Sequence, residues 1–578
     1  MSNANAAIKV LLSSRGTVTL KSRDHIATGG QGSIYRLSTD LVVKIYSDPK
    51  QFRSLALPDK IKILSKLHCP YVVAPLDLAY SEKKEPIGYI MPYADAHPLS
   101  RVFTNDFWQR EGFSASHAKE LAEKMRETVA FAHNNGAILV DPNELNWLVK
   151  FKGSNPSPLI VDVDSWAIGR WGAIAVMPSI RDWHSKTFDE NSDWFSWAVV
   201  TFQLFSGIHP YKGTHPSYDR SDLEKRMKDN ASVFSKNVRL NRAVRNFSLI
   251  PNSLLNWYRE VFERGLRTAP PFPFETGVSV PKQAMTMRVK LSLATGSLVF
   301  EKMIERENDP AVRIYECGVV LLSSGILLDI FTGREVASSI SPDAEIIRNN
   351  SGYIVLRKSS GQIEVSFVDE SSRQKEILPF KAQARGILSF ADRLFYLGEG
   401  LTEIKVHSFG SKVICSAGET WSALPNATKL FSGVCVQDSM GSMFAIIPQE
   451  NKELFHVRVP ELDGSSVLAG RAGRRFTSFL RVTKSGEYER LDFTFRKDFS
   501  SYNLEVVSLD QPELNLAMLP KGVNASIIED GKLLIHVPST GEKVIIDDKN
   551  ISTGMSLGNA GDHVLYIEDG ALWRLKMK

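Results

Sequence analysis

An α+β half followed by an all-β half is the fold class this sequence predicts, on three observations. Short apolar strands give way to helical periods before about residue 270. A proline-rich stretch, Thr268-Ala-Pro270-Pro271-Phe-Pro273-Phe-Glu-Thr-Gly277, then stops both kinds of element. Beyond it, strands alternate with Gly, Asp, Asn and Ser turns, and helical periodicity almost vanishes. The 578 residues exceed one ordinary domain, and length alone suggests about three or four domain-sized units. Hydrophobic content of 43% and charged content of 23% are those of a soluble globular chain. A net charge of +5 makes no case for nucleic acid or an anionic membrane. Cys69, Cys317, Cys415 and Cys435 lie far apart without a Cys-x-x-Cys pair. Neither a disulfide framework nor a zinc ribbon is indicated, which fits a reducing compartment. The small, polar N-terminus has no signal-peptide core. The most apolar stretch, residues 194–205, is shorter than the ~20 residues of a membrane helix, and Ser196, Thr201 and Gln203 interrupt it. The expectation is a cytoplasmic protein.

Taken in order, residues 1–14 form an N-terminal tail and residues 15–270 an α+β domain. Its sheet lobe, about 15–93, is predicted from strands at 17–20, 33–37 and 41–46. Its helical lobe, about 94–270, is predicted from apolar periods at 117–133, 193–206 and 253–266. Residues 271–286 form the Pro-rich linker, and residues 287–578 the all-β region. There a unit of strand, glycine turn and strand recurs, beginning near Gly318, Gly352, Arg393, Gly433, Phe479, Gly531 and His563. A period of ~30–50 residues in an all-β region argues for a β-propeller, here with seven blades. A pair of β-sandwiches is the alternative. No Trp-Asp or Gly-His signature is present in these units.

The chemistry concentrates in residues 141–164. Asp141 is followed five residues later by Asn146, and after a short apolar hairpin by Asp162 and Asp164. Phosphoryl transfer from Mg-ATP needs these types in this order: one carboxylate accepts the hydroxyl proton, while an amide and a second carboxylate hold metal ions on the phosphates. Upstream, Ala27-Thr-Gly29-Gly30-Gln-Gly32-Ser-Ile34-Tyr35 can cover phosphates with close backbone. Lys44, in an apolar strand, requires a counter-charge. Alone, the glycines could mark a hairpin, and Asp141-Pro-Asn a polar turn.

Together these motifs resemble the protein-kinase family, and more closely its divergent bacterial and phage branch. The shared marks are Asn143 after Asp141, Asp162-Val-Asp164-Ser-Trp166, Met91-Pro92 and Gly207-Ile-His-Pro210-Tyr-Lys-Gly213. The resemblance covers about residues 15–270 and implies a bilobal kinase-like domain acting as a Ser/Thr protein kinase with ATP and Mg2+. It implies Asp141 as the base and Lys44 on the phosphates. Ala27, Gly29, Gly30, Gly32 and Ile34 would cover the nucleotide, with Met91, Pro92, Tyr93 and Ala94 along the adenine. Asn146 and Asp162 would be metal ligands, with Asp164 a further candidate. Departures accompany the match: Leu139-Val140 stands for His-Arg, Met177-Pro178-Ser179 for Ala-Pro-Glu, and Lys60 for the helix glutamate that pairs the strand lysine. Asp59 is the candidate replacement, and Asp193 is expected to hold the catalytic-loop backbone.

The leading expectation is thus an active kinase whose propeller recruits a protein substrate or regulator. A pseudokinase scaffold, or a phosphotransferase with a small-molecule acceptor, is the alternative. Trp147, Trp166, Trp183, Trp194 and Trp197 read mostly as core, and His184, His209 and His215 as structural or surface.

Overall fold

The computed structural model describes residues 7–577 except 14, 154, 174, 273, 275–297, 410–411, 450–453, 498 and 529–530. Most of the expected linker, and residues 1–6 of the expected tail, lie outside the described residues. Seven strands form the first sheet: β1 (Ile8–Leu12), β2 (Gly16–Leu20), β3 (His25–Thr28), β4 (Gly32–Arg36), β5 (Leu41–Tyr46), β6 (Asp77–Tyr80) and β7 (Pro86–Pro92). Their spatial order is β2-β1-β6-β7-β5-β4-β3, antiparallel throughout. The strand period of two splits β5 between two cores. Val43 and Ile45 join Val10, Leu12, Tyr35 and Ile90 on one face. Val42 and Tyr46 face the larger cluster, with Lys44 between them.

Helices α1 (Pro49–Ser54) and α2 (Leu57–Leu64) lie between β5 and β6. Asp48 caps α1, accepting from Lys50 N and Gln51 N ahead of a first-turn proline. Then follow α3 (Leu99–Val102), α4 (Asn105–Arg110), α5 (Ala115–Asn134), α6 (Glu190–Ser206), α7 (Leu223–Lys228) and α8 (Asn252–Arg264). Asp189 opens α6 by accepting from Ser192 N, and Gly207 closes it at φ +78°. From Ser192 onward α6 is buried on every side, which its nearly unbroken apolar sequence allows. Short strands β8 (His97–Pro98), β9 (Ala137–Ile138), β10 (Trp147–Lys150), β11 (Ser157–Ile160) and β12 (Ala167–Ile168) frame the loop that carries Asp141 and Asn146.

The expected fold class is corrected in both halves. A single apolar cluster runs from Val42 and Met91 through Leu121 and Phe202 to Phe274. Sheet and helices share that core, so the expected bilobal kinase-like pattern is not what is seen. Among the described residues there are eight α-helices, and the chain is mostly β. Among the described residues the C-terminal half forms seven separate four-stranded antiparallel sheets, with no strand ladder between one and the next, in place of the expected β-propeller. Six of these sheets use consecutive strands; the seventh pairs Leu298–Ile304 with the last three strands of the chain. Each recurring unit of strand, turn and strand is one hairpin of such a sheet, as in Gly352–Ser359 with Gln362–Asp369. Outer strands lack the pattern because they lack a buried face: all three residues of Lys375–Ile377 are exposed.

Candidate active site

Three predicted residues fall in one cross-strand row. Ala27 pairs with Ile34, Ile34 with Lys44, and Lys44 with Tyr89, so one face of the sheet carries all four side chains. Gly29 and Gly30 form the β3–β4 turn, closed by Gly29 N donating to Gly32 O at 2.9 Å. An added Cβ would meet nothing within 4 Å at Gly30. Gly32 is different: a Cβ there would collide with the Ile45 carbonyl, so packing of β4 on β5 already requires this glycine. Met91 is buried at the end of β7, followed by half-buried Pro92, Tyr93 and Ala94. Tyr93 N donates to Asp40 O at 2.8 Å, and its ring carries the Arg36 guanidinium. That N–H is therefore engaged within the sheet and does not face the cleft.

Lys44 finds its counter-charge where sequence reasoning did not look. Its ammonium lies 2.5 Å from Asp162 Oδ1 and 2.9 Å from Asp164 Oδ2. Asp164 also accepts from Tyr89 OH at 2.8 Å and from Tyr46 OH. Burial alone would raise the Asp164 carboxyl, but Lys44 and the two phenols hold it down to about 2. Burial disfavours the Lys44 ammonium, yet Asp162 and Asp164 raise it above the ordinary lysine range. Both Asp164 oxygens are committed to these groups, so its candidacy as a metal ligand is corrected: it anchors the lysine. Lys60, fully buried on α2, donates to the Asp164 carbonyl at 2.6 Å and is lowered by burial to about 8. Asp59, the proposed replacement for the helix glutamate, is exposed instead and lies beside Lys62 and Arg170. The missed signal was local: Tyr46 lies two residues beyond Lys44, on the same face of β5.

The loop from β9 to β10 is held by α6. Asp193 Oδ2 accepts from Leu139 N at 2.7 Å and Oδ1 from Val140 N at 2.9 Å, as expected, while His133 Nε2 is 2.9 Å from Oδ2. Val140 sits at φ +68°, a conformation that costs a β-branched residue about 1–3 kcal/mol. Asp193 stabilises it by satisfying both adjacent N–H groups. Asn143 Oδ1 then accepts from Leu145 N and Asn146 N, and Asn146 Nδ2 donates to Asp141 O at 2.9 Å. Val161 N donates to Asn146 O, which brings Asp162 beside the loop, at φ +59°. Lys44, Asp162, Asn146 and Asp141 are thus joined in one chain of contacts. The Asp141 carboxyl is raised by burial, and its Oδ1 accepts from Met177 N at 2.9 Å.

Asp162 offers a partly exposed carboxylate and Asn146 an amide oxygen, hard oxygen donors of the kind a magnesium ion takes. Among the described residues no group of three or more His, Cys, Asp or Glu side chains is arranged to hold a metal by itself. The set therefore fits an ion that phosphate oxygens and water would help to coordinate. His209 is buried against Ser179 O, whereas His215 is half-buried. Among the described residues no helix is long and apolar enough to cross a membrane.

No family model matches the chain. No curated protein matches it. Among solved structures it is similar to a C. elegans twitchin kinase fragment, titled an autoregulated protein kinase with immunoglobulin domains, at 17% identity and a TM-score of 0.35. The match covers 42% of this chain and 54% of that one. So distant a likeness says nothing of activity, and the functional reading below stands on the site alone.

Proposed function

We propose that this chain is an ATP- and Mg-dependent phosphotransferase that phosphorylates Ser or Thr hydroxyls of a protein, with its C-terminal sheets engaging the substrate or a regulator. The observation that carries the reading is the chain of contacts from Lys44 through Asp162 and Asn146 to Asp141, which brings residues of separate elements together. Lys44, kept charged by Asp164, orients phosphate oxygens. Asp141 takes the proton of the attacking hydroxyl, and its burial raises its basicity for that task. Asp162 and Asn146 would hold Mg2+, which when bound neutralises phosphate charge. Catalysis would consist of positioning and charge stabilisation.

The test is transfer of labelled γ-phosphate from Mg-ATP by the purified chain, with a generic Ser/Thr substrate and a cell lysate as acceptors. Asp141→Asn should lower transfer by about 10²–10⁴-fold while nucleotide binding persists. Nucleotide binding without transfer from wild type to any acceptor would replace this reading with a scaffold. Transfer confined to small molecules would replace the protein acceptor.

A further inference from the structure

We propose that the C-terminal sheets hold this site in a blocked state through two hairpin turns, one on the glycine segment and one on the residues beside Asp141. The inference rests on the phosphotransferase reading and adds how that site is regulated.

The first turn, Asp438 to Gly441, meets the glycine segment. Asp438 Oδ2 accepts from Thr28 N at 2.8 Å, and Oδ1 accepts from Gly441 N at 2.7 Å, which fixes the turn. Tyr35 OH, on β4, points at Met440 Sδ at 3.5 Å. The segment meant to cover phosphates is therefore tied to a hairpin about four hundred residues later in the chain.

The second turn, Thr483 to Glu487, meets the residues beside Asp141. Ser179 N donates to Ser485 O at 3.2 Å. Gly486 sits at φ +81°, and a Cβ there would lie 2.7 Å from Ser179 Cβ and 2.8 Å from Met177 Sδ. The turn thus packs without a gap on Met177 and Ser179, and no side chain fits between them. Behind it, Tyr488 OH donates to Glu144 Oε1 at 3.3 Å, and Leu145 packs on Leu480, Val482 and Tyr488. Glu144 and Leu145 lie between Asp141 and Asn146 in the loop itself.

These contacts converge on one atom. Met177 N donates to Asp141 Oδ1, one of the two oxygens that could take the acceptor's proton. A substrate hydroxyl approaching that oxygen must compete with the N–H, and Gly486, packed on Met177 Sδ, holds Met177 in place. The first turn holds the glycine segment through Thr28 and, on the sheet face opposite Lys44, through Tyr35, so that segment cannot shift to make room instead. Release of the second turn is the step that admits an acceptor, and a partner that draws the C-terminal sheets aside would activate the enzyme.

Two variants of the full chain test this in opposite directions. In Ser179→Cys/Ser485→Cys, whose backbones meet at 3.2 Å, a disulfide confirmed by the loss of both free thiols would lock the turn in place. The oxidised protein should transfer phosphate about tenfold or more slowly than the same protein reduced, while Mg-ATP still shifts its melting temperature. Oxidised Ser485→Cys alone is the control. Gly486→Asp should do the reverse: faster hydrogen exchange at 177–179 and transfer raised about tenfold. Equal rates for the oxidised and reduced double variant would overturn the proposal. So would a loosened Gly486→Asp chain that binds Mg-ATP and transfers no faster. If wild type and both variants fail to bind Mg-ATP, the phosphotransferase reading falls and this proposal falls with it.

Discussion

Two buried carboxyl groups, Asp164 under the sheet and Glu144 on the β9–β10 loop, face opposite fates for one reason. Both are withdrawn from water, which by itself disfavours their charge. Asp164 meets an ammonium and two phenols and is held down to about 2. Glu144 meets the Tyr488 hydroxyl and is pushed up by burial to about 7. Burial sets the cost, and the partner decides the sign. The first region is a permanently charged anchor that keeps Lys44 in place. The second is a seam that carries a proton, shared with Glu513, which accepts from Asn105 N and is also raised by burial to about 7.

Removing the anchor should have the largest effect. Asp164→Asn leaves the Lys44 ammonium buried with only Asp162 opposite, and should cost about 3–5 kcal/mol in denaturant unfolding. Glu144→Gln, equally buried, should cost far less, because it replaces a group that already carries a proton. Next comes the network's support: Tyr46→Phe or Tyr89→Phe removes a hydrogen bond to a charged acceptor and should cost about 1.5–3 kcal/mol each.

The two regions should also separate by pH. For Glu144, raised from 4.5 to about 7, the unfolded chain loses the proton first and the folded chain keeps it. Its contribution to stability therefore falls as pH rises from about 4.5 to about 7, and Glu513 acts in the same direction. Asp141 and Lys212 bear on Glu144, and Asp106 and Arg245 on Glu513. For Asp164, lowered from 3.8 to about 2, the contribution is complete above 3.8 and is lost as pH falls toward 2. Melting curves of Glu144→Gln/Glu513→Gln should show a flatter slope between pH 4.5 and 7, with the acid limb unchanged. An unchanged slope would mean that neither carboxyl carries its proton into the neutral range. The smallest effect belongs to Asp59→Ala, where an exposed side chain should be worth less than about 0.5 kcal/mol. A large loss there would restore it as the partner of Lys44.

Much of the site could be read from residue order. The β9–β10 loop was legible because Asp141, Asn143 and Asn146 act within six residues of one another, through turn and amide bonds that short spacing dictates. The role of Asp193 was legible only through the family resemblance, which places an Asp near the start of the long apolar helix. Gly32 was legible as a required glycine but not for its reason, which is the backbone of a neighbouring strand. Lys60 read as a departure, and its contact with the Asp164 carbonyl could not be inferred from either residue alone. In the C-terminal half the inner hairpins were legible by alternation. Their outer strands were not, since an exposed strand carries little pattern.

The sequence by itself determined the change from helix-bearing to all-β chain near residue 270 and the order of the residue types that the β9–β10 loop brings together. Those features rest on periodicity and on spacings of a few residues, where chain geometry leaves little freedom. Only the tertiary structure decided that Asp164 anchors Lys44, that Tyr488 covers Glu144, and that the strands close as separate sheets of four. The first two pairings join positions 120 and 344 residues apart. At that separation the packing of whole elements selects the partner, because no local preference extends so far along the chain.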